Sequence, residues 1–239
     1  MGAKVELKKA VDFFVRGEFY CSRQPASQLL DYNSIKHLAF GTTVGGRTDE
    51  FFVYNANPAP VIETINKQGT KKDYWLTVFS DEKPYSYDAQ GYTLKSTEFL
   101  MILKLDSWSF EIENKIIKRV NTEEEARRIN HFFDKTVIDL TKLDVPNLHY
   151  YVGEENGYPA SHGSYLLLDN KVCFLDNVFT SKIHRGKGMA KALCRKMLID
   201  AKQEGAVKSI LASSQMGHPL YLKLGYQDVS KMWVFEKQS

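Results

Sequence analysis

The second half of the chain alternates apolar and polar positions in blocks whose period changes, and the changes mark its elements. Residues 116–120 read as a strand. Thr122 followed by Glu125 forms a capping box, in which hydroxyl and carboxylate each satisfy a helix-terminal N–H. Ala126, Ile129 and Phe133 then fall on one helical face. Residues 149–152 form a short strand that runs into Glu154-Glu155-Asn156-Gly157, whose Asn-Gly pair supplies the positive φ values of a tight hairpin turn. Strands at 164–168 and 172–180 follow, separated by a second turn signal at Asp169-Asn170. Leu193, Cys194, Met197, Leu198 and Ala201 recur at helical spacing, and Gly205 supplies a left-handed cap. A strand at 209–213, a short helix at 219–224 and a last strand at 231–235 complete the pattern.

The apolar run 99–105 gives way to mixed polarity over 106–114, which predicts two domains, 1–115 and 116–239. The halves echo one another. Tyr87-Asp88-Ala89-Gln90-Gly91-Tyr92 repeats the spacing of Tyr221-Leu222-Lys223-Leu224-Gly225-Tyr226, and in each half a helix ends at a glycine (Gly69, Gly205) before an apolar strand. Where the echo places a glycine loop, however, the first half has Asn55-Ala56-Asn57-Pro58 at the start of its helix. Gly45-Gly46 is only a turn signal, with no helix pattern behind it.

Composition narrows the function classes. The chain has 239 residues, 43% of them hydrophobic, enough to bury a core, and its formal charge of +3 is too weak a field to point to nucleic acid or an anionic membrane. Lys4, Glu6, Lys8, Lys9, Asp12, Arg16 and Glu18 leave no apolar signal region, and no membrane span is legible, so a cytoplasmic location is expected. Glu6 stands where a myristoylation signal wants Ser or Thr. Cys21, Cys173 and Cys194 are odd in number and far apart, which suggests reduced core thiols. No pair of His, Asp or Glu residues has metal-ligand spacing, so no metal is expected.

The chemistry concentrates at residues 178–190, a strand end, a glycine loop and an amphipathic helix. A glycine turn that opens a helix presents backbone N–H groups without partners and the positive end of the helix dipole, and so binds phosphate. Gly186 and Gly188 let an anion approach the backbone, while Arg185 and Lys187 add positive charge. A Walker loop would need Lys-Ser or Lys-Thr after its second glycine, but Met189 and Ala190 follow Gly188. The spacing also lacks the third glycine of a dinucleotide fingerprint.

Arg185-Gly186-Lys187-Gly188-Met189-Ala190 instead resembles the R/Q-x-x-G-x-G/A motif of the GNAT superfamily of N-acetyltransferases. The order of elements from residue 116 to the C-terminus resembles it too, and the echo extends a weaker version over the first half. The resemblance implies an α/β (α+β) fold: a mixed, mainly antiparallel sheet flanked by helices, in two tandem units of which the first is degenerate. It further implies that acetyl-CoA is the cosubstrate. Its pyrophosphate would lie on Gly186, Lys187, Gly188, Met189, Ala190 and Lys191, with Arg185 beside them, and its pantetheine arm along the backbone of Asn177, Val178, Phe179 and Thr180. A backbone N–H at a bulge near that strand end would polarise the thioester carbonyl. Tyr221 matches the tyrosine that assists the departing thiolate, and Ser214 stands where many members have a coenzyme-binding Asn.

For the general base the residues leave several choices, of which Asp176, on the strand leading into the loop, is taken first. Glu154 and Glu155 read as solvated turn residues, and His162 and His184 as structural or exposed. The acceptor is expected to be a primary amine of a small molecule or protein. The alternative is an acyl-CoA sensor that binds without turnover. A monomer is expected, its first half covering one side of the substrate cleft, with a dimer as the alternative. Substrate choice would come from residues 122–148, which carry no readable code.

Overall fold

The structure is a computed structural model that describes residues 2–32, 35–54, 57–69, 73–109, 115–169 and 171–237. Its elements are α1 (Gly2–Ser22), β1 (Gln28–Tyr32), β2 (Ile35–Val44), β3 (Arg47–Tyr54), α2 (Pro58–Lys67), β4 (Tyr74–Phe79), β5 (Tyr92–Lys104), β6 (Ile116–Val120), α3 (Glu123–Phe133), β7 (Leu148–Glu155), β8 (Tyr158–Leu168), β9 (Val172–Thr180), α4 (Met189–Gln203), β10 (Lys208–Ser214), α5 (His218–Lys223) and β11 (Gln227–Lys237). Three short 3-10 turns lie between them, at Tyr85–Gln90, Leu140–Lys142 and Lys182–His184. The expected break over 106–114 and the turn signals at Asn55-Ala56 and Asn170 lie partly or wholly outside the described residues.

The chain forms two compact units. Unit 1 holds Met1–Met101, Ala212–Pro219 and Gln227–Ser239; unit 2 holds Ile102–Leu211 and Leu220–Tyr226. This division differs from the break expected after residue 115. Hydrogen-bond partners decide it, and polarity along the sequence does not reveal them. Leu105 N–H donates to the Val207 carbonyl at 2.9 Å within unit 2, and the last strand β11 runs antiparallel to β4, from Met232 opposite Phe79 to Glu236 opposite Trp75. The chain therefore leaves unit 2 after Tyr226 and ends in unit 1.

In unit 1, β1, β2 and β3 form an antiparallel meander and β4 joins β3 in parallel. The helix α1, for which the sequence reading made no provision, buries Ala10, Val11, Phe14 and Val15, an i, i+1, i+4, i+5 stripe. Phe14 meets Phe52 and Phe79 edge-on at 6.0 and 6.3 Å. A second cluster gathers Phe51, Val53, Val61, Ile65, Leu76, Val78, Tyr87 and Phe235.

Unit 2 carries the chemistry. Strands β6, β7, β8 and β9 run antiparallel, and β10 joins β9 in parallel. The helix α4 packs on this sheet through Met189, Ala192, Leu193, Cys194, Met197, Leu198 and Ala201, the stripe expected from spacing. Each fully buried leucine contributes roughly 1.5–3 kcal/mol. The N-terminus of α4 sits close to the sheet because Gly153 has no side chain: a Cβ there would stand 2.4 Å from Ser161 Oγ and 2.8 Å from Met189 Sδ.

Helix α3 begins as the sequence predicts, with one change in the reciprocal bond. Thr122 Oγ1 accepts from Glu125 N at 3.2 Å, but the Glu125 carboxylate reaches the N–H of Asn121, one residue ahead of the cap. Cys173 and Cys194 are buried as expected, whereas Cys21 is only half-buried. Among the described residues no helix is long and apolar enough to cross a membrane.

Candidate functional site

Strand β9 departs from regular pairing where the sequence points to the site. Ser164 faces Asp176, but His162 faces Phe179, so Asn177 and Val178 of β9 oppose the single residue Gly163 of β8. This is a β-bulge, which leaves ladder groups without strand partners and bends the strand. Asn177 adopts the left-handed region, φ 53°, which Asn tolerates better than most residues. The space opposite it at Gly163 is tight: a Cβ there would lie 3.0 Å from Met197 Cε and 3.3 Å from Val178 Cγ2, so these side chains would have to give by a few tenths of an ångström.

On its other edge β9 separates from β10. The parallel ladder runs from Lys208 opposite Val172 to Ile210 opposite Phe174 and then stops, although β9 continues to Thr180. Beyond Phe174 the strand has no ladder partner in β10.

The 3-10 turn Lys182–His184 follows, with Ser181 Oγ 2.6 Å from His184 Nδ1. Gly186 has φ 75° and Gly188, the N-cap of α4, has φ 78° with no side-chain cap. A Cβ at Gly186 would meet nothing within 4 Å, so the loop borders open space. The first intrahelical bond is Ala192 N to Gly188 O at 3.0 Å, which leaves the N–H groups ahead of it without an i−4 acceptor. Beside this loop, Ser161 Oγ and Thr180 Oγ1 are buried with no hydrogen-bond partner among the described residues. Glycines in left-handed geometry, an uncapped helix N-terminus and open space above them suit a pyrophosphate, and the splayed edge of β9 suits a pantetheine arm.

The side chains of the loop are arranged more closely than the sequence suggests. Arg185 folds back, its Nε donating to the Thr180 carbonyl at 3.0 Å and its guanidinium 5.9 Å from the Phe179 ring centre. Lys187 Nζ lies 2.9 Å from Glu155 Oε2. That contact, helped by His184 and Lys115, holds the Glu155 carboxyl below the usual range. Met189 is buried against the sheet, so only its backbone is available to an anion. Ala190 and Lys191 are half-buried in the first turn of α4. Ser214 lies at the end of β10 in the segment grouped with unit 1, where its Oγ accepts from Gly217 N at 3.2 Å.

Asp176 and Tyr221 both belong to unit 2. Asp176 is half-buried, and desolvation raises its carboxyl pKa. Tyr221 is 8% exposed, with its ring edge-on to Tyr226 at 5.6 Å. Burial raises its phenol pKa well above the ordinary value, and the charges of Cys194 and Asp176 add to the effect. The site therefore holds a carboxylate with increased basicity and a phenol that keeps its proton.

One other expectation changes. Glu154 is not a solvated turn residue: it is 6% exposed and bonded to Lys118 and Arg128 at 2.6 and 2.8 Å. His162, for which a structural or an exposed place is expected, takes the structural one: it is 4% exposed, stacked on Phe179 at 5.3 Å and edge-on to Phe133 at 5.0 Å. The sequence signal for this cluster was weak, because Phe133, His162 and Phe179 lie on three separate elements. Among the described residues no group of three or more His, Cys, Asp or Glu side chains could hold a metal ion.

Comparison with known proteins agrees with this geometry. Residues 102–226 match the acetyltransferase (GNAT) family, the span that also bounds unit 2. No curated protein gives a significant match. Among solved structures, the chain is similar to a GCN5-related N-acetyltransferase from Kribbella flavida, with TM-score 0.67, 18% identity, and coverage of 98% of this chain and 95% of that one. A GCN5-related N-acetyltransferase-like protein from Streptococcus suis aligns with TM-score 0.57 and 14% identity over 96% of this chain and 93% of its own. A tandem GNAT protein from the clavulanic acid biosynthesis pathway aligns with TM-score 0.55 and 12% identity over 92% of this chain and 86% of its own. At such identities these likenesses establish the fold, and the family match establishes kinship: the chain belongs to the acetyltransferase (GNAT) family, with the fold of an acyl-CoA-dependent transferase.

Proposed function

We propose that the chain is an N-acetyltransferase that moves an acetyl group from acetyl-CoA to a primary amine of a small molecule or protein by direct attack. The observation that carries this reading is the splayed, bulged end of β9 leading into an uncapped glycine loop, all within unit 2. When bound, acetyl-CoA supplies an activated acyl carbon as its thioester. The backbone of Gly186 to Lys191 binds the anionic end, and the exposed edge of β9 beyond Phe174 takes the arm. A bulge N–H directed at the carbonyl oxygen would stabilise the developing oxyanion by about 2.7–4 kcal/mol.

The amine nitrogen forms the new C–N bond as the C–S bond breaks. Asp176, with its carboxyl pKa raised, takes the proton that the nitrogen loses. Tyr221 keeps its proton at neutral pH and donates a hydrogen bond to the departing sulfur. Full transfer from an ordinary phenol to a thiolate is uphill by roughly 2 kcal/mol in water, so hydrogen bonding suits this buried tyrosine better than early proton release.

Unit 1 is read as a degenerate copy of unit 2. Each has a strand, a helix and a parallel strand, and Gly69 and Gly205 after the helices are both left-handed, as are Gly91 and Gly225 after the tyrosine turns. With both copies in one chain, a monomer is the proposed working form.

Calorimetry of acetyl-CoA with the wild type and with Gly188→Trp tests the reading. The wild type is expected to bind, and the variant, with its indole in the loop and its fold checked by thermal melting, to lose at least about a hundredfold in affinity, or roughly 2.7 kcal/mol. Failure of the wild type to bind would overturn the proposal. Binding without turnover across an amine library would leave an acyl-CoA sensor.

A further inference from the structure

The bulge of β9 is held from outside the sheet by a chain of amides that begins in α3. Asn130, in the last turn of that helix, accepts through Oδ1 from the N–H groups of both Val137 and Ile138, each at 2.9 Å, and donates through Nδ2 to the Ile138 carbonyl at 2.8 Å. Three hydrogen bonds from one side chain fix this two-residue strap against the helix. The Val137 carbonyl then accepts from Asn177 Nδ2 at 3.1 Å. Asn177 is the residue whose left-handed φ of 53° makes the bulge. Across the bulge the His162 ring is clamped between Phe133 and Phe179.

A left-handed residue other than glycine is strained and persists only where the surrounding structure over-determines it. Here the side chain of that residue is tied to the 137–138 strap, and through the strap to Asn130 of α3. Ordinary sheet packing would not require the Asn177 amide to leave the sheet and bond a loop carbonyl.

We propose that Asn130 and Asn177 are positioning residues that set the bulge of β9, and with it the direction of the N–H that polarises the thioester carbonyl, so that anything pressing on the 130–138 strap alters that polarisation. The inference rests on the acetyl-CoA reading and deepens it. An acceptor lodged against α3 and the strap would thereby tune the site at which it reacts.

Infrared spectroscopy of acetyl-CoA carrying a ¹³C-labelled carbonyl, bound to the protein, tests this without knowledge of the acceptor. In the wild type the bound carbonyl band is expected to shift to lower frequency than in free acetyl-CoA. Asn177→Asp keeps tolerance of the left-handed φ but cannot donate to Val137, and Asn130→Ala releases the strap at a distance from the cosubstrate. Each is expected to lose at least about half of the band shift, and Asn130→Ala, which touches neither the pyrophosphate loop nor the edge of β9, is expected to change acetyl-CoA affinity by less than about threefold. Thermal melting checks that each variant is folded; should Asn130→Ala fail, Asn177→Asp and Asn177→Gly decide. A band shift retained in folded variants would overturn the positioning role and leave the acetyl-CoA reading intact. A wild type that binds no acetyl-CoA would overturn both, and binding without any band shift would remove the positioning role alone.

Discussion

The two units contain the same strand, helix and parallel strand, and they differ at the point where a ligand would enter. In unit 1, β3 and β4 are paired from Asp49 opposite Tyr74 to Tyr54 opposite Phe79, the last residue of each strand. In unit 2, β9 and β10 part after Phe174 and Ile210. The helices between them begin differently as well. Asn57 Oδ1 caps α2 through Ala59 N at 3.1 Å, and Pro58 has no N–H to offer, so that terminus is satisfied by its own residues. Helix α4 starts from left-handed Gly188 with no side-chain cap. Unit 1 caps its helix with its own side chain, and in unit 2 the equivalent terminus has no side-chain cap.

The paired tyrosines give this comparison its largest test. Tyr87 is fully buried, stacked on Phe235 at 5.5 Å and edge-on to Tyr92, and burial pushes its phenol up to about 12. Tyr221 lies instead near Asp176 in the open unit. With an acceptor found by amine screening, Tyr221→Phe is expected to lower kcat by about a hundred- to a thousandfold with acetyl-CoA affinity unchanged within a factor of about three. Tyr87→Phe should leave kcat unchanged and cost about 1 kcal/mol of stability in urea denaturation. Equal losses of kcat in both variants would show that the two tyrosines are packing residues alike.

What the sequence discloses follows from how local each signal is. The loop from Arg185 to Lys191, the buried stripe of α4 and the hairpin at Asn156-Gly157 depend on neighbours within a few residues, and all were legible. The bulge at Asn177 was expected only through resemblance, because its cause is distributed: Gly163 comes from β8, Asn130 from α3 and Val137 from the loop after α3. The place of β11 beside β4 was invisible, since an alternating apolar strand does not state which edge it joins. Glu154 misled for a related reason: a carboxylate next to an Asn-Gly turn reads as solvated until Lys118 and Arg128 are brought across to it.

A second test, of smaller size, separates the units through their cross-strand histidines. In unit 1, His37 stacks on Phe51 at 4.1 Å and its Nε2 lies 2.7 Å from Asp49 Oδ1. In unit 2, His162 stacks on Phe179, and burial depresses its pKa to about 4. As pH falls below about 6.5 the unfolded chain gains a proton at this histidine that the folded chain refuses until near pH 4, so stability present at neutral pH is lost across that window. At 1.36 kcal/mol per pKa unit the loss approaches roughly 3 kcal/mol. His162→Phe, which preserves the stack, should flatten the pH dependence of urea midpoints between pH 6.5 and 4 relative to the wild type. An unchanged slope would place the histidine in water in the folded protein.

The smallest effect concerns the contact that stands in the open loop. Lys187 pairs with Glu155 at 2.9 Å, and half of the lysine side chain is exposed. An ion pair of this kind, open to solvent, is weak, and a phosphate must displace it before Lys187 can turn toward the ligand. Glu155→Gln keeps the shape of the side chain and removes its charge. Acetyl-CoA is then expected to bind about two- to threefold more tightly at low salt, with the gain fading as salt screens the pair in the wild type. Weaker binding by the variant would mean that Glu155 shapes the loop rather than competing for its lysine. Unit 1 allows no counterpart to this experiment, because its helix begins at Asn57 and Pro58 with neither a mobile cation nor an open glycine turn.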